Sequence, residues 1–448
     1  MPVILITDVL VWLLAAAAAG YAFYCRRHPH LAVPWARVFH SSAAMASTVV
    51  LVAFVAVGLL DSFHFRPALK TQGDGQAAYS SEVLSVLDLG LVQLRGRGEK
   101  TYSAPLATRS YAKEQVELPD GRQTRDFPRL RFGGAHLKDE GDWAGDVARR
   151  TASGFAASAA LLFLFFYLMR LLRKRNPAVA WNSAFASFAV LLLLAGPAIA
   201  LGISYHVLGT DKVGQDVFYL ALKSVRTSLV IGTVTTLVLL PLGIALGTMA
   251  GYFKGWVDDV IQYFYTTLNS IPGVLLIAAA VLMMQVVIDR HSDWFNTAAQ
   301  RADVRLVILC AILGLTSWTG LARLLRGETL KLSELEYIQA AHAFGVRDSR
   351  IVARHILPNL SHIVIITMVM DFSGLVLAEA VLSYVGVGVD PSTNSFGTMI
   401  NAARMEMSRE PVVWWALATA FAFMFALVLA ANLFADAVRD GFDPRVRM

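Results

Sequence analysis

This 448-residue chain contains residue types suited to acid–base, redox and metal chemistry, but their spacing keeps them apart. His342, His355 and His362 fall on different turns of an interrupted helical segment. With no Cys or carboxylate at ligand spacing beside them, no metal site is predicted. The two cysteines, Cys25 and Cys310, lie in or beside separate apolar stretches, so no disulfide framework can be built from them. Asp371 and Glu379 are eight residues apart, which on a helix is about 80° around the axis and roughly 12 Å along it. That is too far for a shared-proton pair. Two readings stay open for them: a polar lining or proton relay, or pairing with a neighbouring helix or subunit or a position near the membrane interface. There is no G-x-x-x-x-G-K-[ST] loop, and Gly386-Val-Gly388 lacks the third glycine of a dinucleotide fingerprint. The expectation is a chain with no catalytic residue, no metal and no bound cofactor.

The most informative spacing is Glu336-Tyr-Ile-Gln-Ala-Ala-His-Ala-Phe-Gly345-Val-Arg-Asp-Ser-Arg-Ile-Val-Ala-Arg-His-Ile-Leu-Pro358-Asn359. Ile338, Ala341 and Gly345 share one helical face, and two of the three are small enough to let another surface approach the backbone. Gly345 is a natural helix stop, because glycine adopts the left-handed conformation without a Cβ clash. Asp348 is placed to cap a following short helix, and Pro358 to bar its unbroken continuation. The segment therefore reads as two short helices at an angle, built to receive a push from a partner. An ordinary amphipathic loop is the plainer alternative.

The elements that must hold this loop are membrane helices. The chain is 56% hydrophobic and 16% charged, against roughly 45–50% and 25% for a soluble domain. Its mean hydropathy of +0.54 agrees. A spanning helix needs about 20 mostly apolar residues. Nine stretches qualify: 3–24, 41–60, 152–172, 180–205, 227–253, 260–288, 304–325, 360–388 and 412–435. Pro241 and Pro272 interrupt two of them, which a bundle tolerates when neighbours satisfy the freed backbone groups. The first stretch carries Asp8 at its start and Arg26 and Arg27 after it, the reverse of a signal peptide's charge order, and is read as a retained helix. The net charge of +6 is assigned to basic cytoplasmic loops and not to nucleic acid. Arg26, Arg27 and Arg37; Arg170, Arg173, Lys174 and Arg175; Arg323 to Arg354; and Arg439, Arg445 and Arg447 all fall on one side if the N-terminus lies outside. Gly243 and Gly247 form a G-x-x-x-G read as close helix packing within the core.

The predicted architecture is all-α and integral to the membrane. Two helices (1–60) precede an extracytoplasmic insertion of roughly 90 residues (61–150). A third helix and basic loop (151–179) follow, then a six-helix core (180–448) with its cytoplasmic loop at 326–359. The insertion shows no catalytic spacing. It reads as a small domain packed on the bundle, with a docking or ligand-sensing role as the alternative.

Ala340-Ala341, Gly345 and Leu357-Pro358 resemble the "EAA" signature of ABC-importer permeases, and His355-x-Leu-Pro-Asn359 is similar to its dipeptide/oligopeptide branch. Gln339 stands where the signature has Glu. Gly209-Thr-Asp211, Gly214, Asp216-Val217 and Arg226-x-Ser-Leu229 resemble the external loop that opens this branch's core, with Gln215 in place of Arg. Ala378-Glu-Ala380, Ser383, Gly386-Val-Gly388, Pro391 and Gly397 match its eighth-helix exit, with Phe396 where Trp is common. Asn432-Leu433, Asp436 and Arg439-Asp440-x-x-Asp443-Pro444 match its closing segment. The resemblance covers roughly residues 205–448.

It implies a type I importer core, a homologous second permease subunit, two ABC ATPase subunits that use ATP, and an extracytoplasmic solute-binding protein. The chain itself would be a bacterial inner-membrane subunit, N-terminus out and C-terminus cytoplasmic, forming half of a path for peptides or peptide-like solutes. ATPase coupling would fall to Tyr337, Ile338, Gln339, Ala340, Ala341, Phe344, Gly345, Arg347, Leu357 and Pro358. Gly209, Thr210, Asp211, Gly214 and Asp216 would form the external loop or gate, and Asp371 and Glu379 the intramembrane polar groups. The competing functions are a stand-alone secondary transporter or channel, which would work without ATP, and a membrane sensor, which would need a cytoplasmic output domain. On the small-residue face, Gly345→Asp or Ala341→Arg is expected to abolish transport with insertion intact; wild-type uptake in both would contradict it.

Overall fold

The computed structural model describes residues 1–68, 79–80, 82–117, 123–175, 179–295 and 297–442. The closing motif residues Asp443 and Pro444, with Arg445 and Arg447, lie outside the described residues. Nine helices among those described are long and apolar enough to cross a membrane, as the hydropathy pattern requires. The chain divides into two compact units.

The first unit comprises Met1–Ile4, Ala36–Ser228 and Pro391–Ala430. A three-stranded sheet pairs β1 (Pro2–Val3) with β2 (His64–Phe65) and β2 with β3 (Leu84–Ser85), all antiparallel. In chain order its helices are α3 (Ser42–Asp61), the short α4 (Val86–Gly90) and α5 (Val92–Arg95), α6 (Trp143–Arg175), α7 (Trp181–Gly202), the first part of α8 (Val217–Phe253), α16 (Phe396–Glu406) and the start of α17 (Trp415–Phe442). An exposed hairpin, β4 (Glu114–Glu117) with β5 (Gln123–Asp126), projects from the insertion. The insertion is fastened to the helices by a buried charge cluster. Lys223 of α8 lies 2.6 Å from Asp61 at the end of α3 and 3.2 Å from Asp88 of α4. Tyr219 donates to the other Asp88 oxygen at 2.8 Å, and Ser85 closes a capping box with Asp88.

The second unit comprises Leu5–Trp35, Leu229–Asp390 and Ala431–Met448. It holds α1 (Ile6–Arg27), the rest of α8, α9 (Gly255–Ser270), α10 (Gly273–Arg290), α11 (Ala298–Ser317), α12 (Thr319–Ser333), α13 (Glu336–Ala343), α14 (Asp348–Ile351), α15 (Leu357–Val385) and the end of α17; α2 (Pro29–His40) begins here. Small residues on α8 allow a backbone-level seam with α12. A Cβ on Gly247 would stand 2.7 Å from the Ala322 carbonyl oxygen, and one on Gly251 2.6 Å from Thr329 Cβ. The G-x-x-x-G is thus a packing motif within the chain. Asp303 of α11 caps α1, accepting the Ile6 amide at 2.7 Å, the Thr7 amide at 3.3 Å and the Thr7 hydroxyl.

The two internal prolines behave differently. α8 runs through Pro241, but the expected 260–288 span is broken at Pro272. Ile271 is extended (φ −91°, ψ 132°), the conformation imposed on a residue before proline, and Gly273 follows without a side chain to resist the bend. α9 is therefore a separate helix, and α10 is the span.

Removing one partner from a buried ion cluster strands the others in a low-dielectric site. Lys223→Met is predicted to cost about 3–5 kcal/mol of stability, read as a lowered midpoint of thermal unfolding in detergent. Asp61→Asn/Lys223→Met together should recover part of that loss.

Candidate functional site

Two loops carry the candidate residues, and each is fixed by its own local chemistry. In the second unit, α13 is an eight-residue helix ended by a Schellman turn. Gly345 sits at φ +73°, its amide donates to the His342 carbonyl at 2.9 Å, and the Val346 amide donates to that of Ala341 at 3.1 Å. One face of α13 is spent inward. Ile338 is 3% exposed and joins a core with Tyr265, Leu321, Ala322, Leu325, Ile351, Ile356 and Leu360, against which Ala341 and Val346 pack.

This corrects the expected contact face. Ile338 and Ala341 turn towards the protein's own core, because helical periodicity shows which residues share a face but not which way that face points. The outward face presents Tyr337, Gln339, Ala340 and Phe344, the last 87% exposed. Ala341→Arg would therefore unseat α13 from its core before touching any partner.

Polar contacts lock the loop from three directions. Tyr252, near the end of α8, donates to Asp348 at 2.7 Å. Lys254 pairs with Glu334 at 2.5 Å, and Gln339 donates to the same Glu334 carboxylate at 3.3 Å. Asn359 of α15 donates to the Tyr337 hydroxyl at 3.2 Å.

Two further expectations change here. Asp348 is the first residue of α14 and not its cap; Arg347 precedes the helix without a side-chain hydrogen bond. Pro358 does not separate loop from span. A π turn, Val352–Ile356, links α14 to α15, where Leu357 and Pro358 occupy the first turn. The result is one rod from Asp348 to Val385. His342, His355 and His362 form no metal-type cluster among the described residues.

In the first unit, the loop before α8 is built by its carboxylates. Asp211 accepts the amides of Val213 and Gln215 at 2.9 and 2.8 Å. Asp216 caps α8 through the amides of Phe218 and Tyr219 at 2.9 and 3.1 Å. Its second oxygen lies 2.8 Å from His206 Nδ1. Glu99 of the insertion stands 3.4 Å from His206 Nε2 and accepts the consecutive amides of Arg131, Phe132 and Gly133 at 2.8–3.0 Å. Thr210 exchanges hydrogen bonds with Ser103 and donates its hydroxyl to the Thr101 carbonyl, and Trp415 donates to the Thr210 carbonyl at 2.9 Å. Gly214 (φ +80°) lies so close to the insertion that a Cβ would meet the Glu99 carbonyl oxygen at 1.9 Å; Gly209 abuts Ser103 in the same way.

The external-loop residues thus form a seat for the insertion. Glu99 and His206, its central pair, were missed from sequence because their partnership spans more than a hundred residues. Burial opposes the His206 charge, but the hydrogen bonds and charges of Asp216 and Glu99 raise its pKa to about 9. Burial likewise opposes ionised Glu99, yet His206 and the three amides bring it to about 2.

Asp371 and Glu379 are not brought together. Glu379 is buried and accepts from Ser383 at 2.6 Å. Asp371 is half-buried.

These values set a pH window. The His206 contribution is full below its ordinary 6.5 and lost as pH rises through about 9. The Glu99 contribution is full above its ordinary 4.5 and lost only as pH falls towards about 2. From this pair, thermal stability is predicted to be level between roughly pH 4.5 and 6.5, to fall between about 6.5 and 9, and to lose nothing further above that. In His206→Gln the alkaline fall should be absent; an unchanged alkaline profile would contradict the assignment.

The family described as "Binding-protein-dependent transport system inner membrane component" matches residues 243–448. The chain is 35% identical over 244 residues to the glutathione transport system permease protein GsiD of Pectobacterium atrosepticum, covering 54% of this chain and 74% of that protein. It is 28% identical over 298 residues to the oligopeptide transport system permease protein OppC of Mycobacterium bovis, covering 66% and 92%. It is 30% identical over 240 residues to the dipeptide transport system permease protein DppC of Lactococcus lactis, covering 54% and 64%. The chain belongs to the family of binding-protein-dependent transport system inner membrane components.

Proposed function

We propose that this chain is one of two homologous permease subunits of an ATP-driven importer of peptides or peptide-like solutes. The two subunits enclose the path, a separate ABC ATPase docks below each, and a solute-binding protein delivers cargo from outside. The chain lies in a bacterial inner membrane with its N-terminus out and its C-terminus cytoplasmic. The peptide class of solute is supported by the glutathione, oligopeptide and dipeptide permeases named above. ATP is used by the partner ATPases.

The observation that carries the coupling role is the rigid presentation of Phe344. A large apolar ring left 87% exposed on a helix whose other face is fully packed is a surface waiting for a partner. A push on Tyr337, Ala340 and Phe344 would pass to α8 through Tyr252 and Lys254, and to α15 through Asn359 and the Asp348–Val385 rod. Gly345, Arg347, Leu357 and Pro358 shape the element. The seat of Gly209, Thr210, Asp211, Gly214 and Asp216 holds the insertion at the outer surface, where it is available to the binding protein.

Phe344→Asp and Ala340→Arg are expected to reduce ATP-dependent uptake by at least about tenfold, the effect of losing roughly 1.4 kcal/mol of docking energy. The chain should remain inserted but fail to co-purify the ATPase. Normal uptake with the ATPase retained in both variants would reject the docking face. For orientation, Thr124→Cys on the exposed strand β5 should react with an impermeant maleimide added outside intact cells; labelling only from the cytoplasmic side would reverse the topology.

A further inference from the structure

Asp371 lies at the midpoint of α15, fourteen residues from each end (Leu357 and Val385), so about 21 Å from either terminus by helical rise. An ionisable group in the middle of a spanning helix is costly to insert and is not left facing lipid. Its neighbours on the helix are accounted for. Phe372 packs on Gly232 of α8, Ser373 donates to Asn432 of α17 at 2.6 Å, and Glu379 is buried against Ser383. Asp371 has no hydrogen bond or ion pair among the described residues. It borders an open strip of α15 formed by Met370, Gly374, Leu377, Val381 and Tyr384, all exposed. At Gly374, one turn away, a Cβ would meet no atom within 4 Å.

We infer that Asp371 is a fixed negative charge on the face of α15 that borders the translocation path, where it receives the cationic group of a passing solute, such as the ammonium of a peptide N-terminus. The inference rests on the reading of this chain as half of that path. Physical chemistry selects this occupant. A carboxylate in the middle of a spanning helix stays ionised only with water or a cation beside it, and an alternating path supplies both. The missing side chain at Gly374 leaves room for them beside the charge. Glu379 is the contrasting case, an acid of the same helix held by the protein's own hydroxyl.

The test places a thiol at Gly374→Cys in the purified, nanodisc-embedded importer, without nucleotide and with a trapped ATP analogue. Rates of modification by trimethylammonium-ethyl and sulfonato-ethyl methanethiosulfonate are compared, each divided by its rate with free cysteine. The unsubstituted chain measures the background from Cys25 and Cys310, which are buried. In at least one state the cationic reagent should be favoured by about fivefold or more, as a charge one turn away dictates. Asp371→Asn should bring the ratio near unity. Equal rates in every state would overturn the inference, as expected if a cation of the second subunit already neutralises Asp371. So would a thiol that reacts in no state, or a preference that survives Asp371→Asn. Hydrolysis of ATP stimulated by the binding protein in the same preparation reports on the importer reading by itself, so an intact stimulation with no charge preference rejects Asp371 alone.

Discussion

The seam between α8 and α12 is the constraint on which the second unit depends. Gly243, Gly247 and Gly251 bring α8 against Leu321, Ala322, Arg326 and Thr329 at distances where any side chain would collide. In a bilayer, where lipid tails are as apolar as leucine, such intimate packing is a main source of helix association. Because α12 is held this closely, α13 starts from a fixed point, and its Ile338 meets a core already formed by Leu321, Ala322 and Leu325. The paired Arg326 and Asp258, joined by two hydrogen bonds of 2.5 and 2.6 Å, bind α9 to the same seam. The exposed face of α13 is consequently held on a stiff mount.

What sequence could reveal follows from the range of each interaction. Apolar length is a local property, and the candidate spans among the described residues were legible from it, although the 260–288 stretch took in part of α9 as well as α10. So was the left-handed Gly345, since a helix stop depends on the residues immediately around it. The direction of the Ile338–Ala341 face was not, because inward and outward are defined by a core assembled from residues between 239 and 364. Pro241 and Pro272 looked alike in one dimension; an extended Ile271 and a following glycine separate them. Pro358 looked like a barrier because a π turn, which absorbs the change of register, has no plain signature in residue types.

The loop before α8 shows the same limit from the other side. Its glycines and carboxylates were visible as a motif, but their purpose here is set by contacts with residues 99–134. Gly214 and Gly209 serve a backbone that no spacing rule connects to them. Glu99 carries no local mark at all: a glutamate among polar residues acquires its role only when three amides and an imidazole converge on it.

The Asp303 cap on α1 has a consequence for biogenesis. The acceptor of the Ile6 amide lies 297 residues further along the chain, which at 5–20 residues per second is on the order of 15–60 s of synthesis. Throughout that interval α1 has an N-terminus whose amides lack their final acceptor. Its placement is provisional until α11 follows. A helix made early is therefore completed only when one made much later arrives, and a ribosome that stalls between the two leaves a nascent chain whose α1 has not yet been secured.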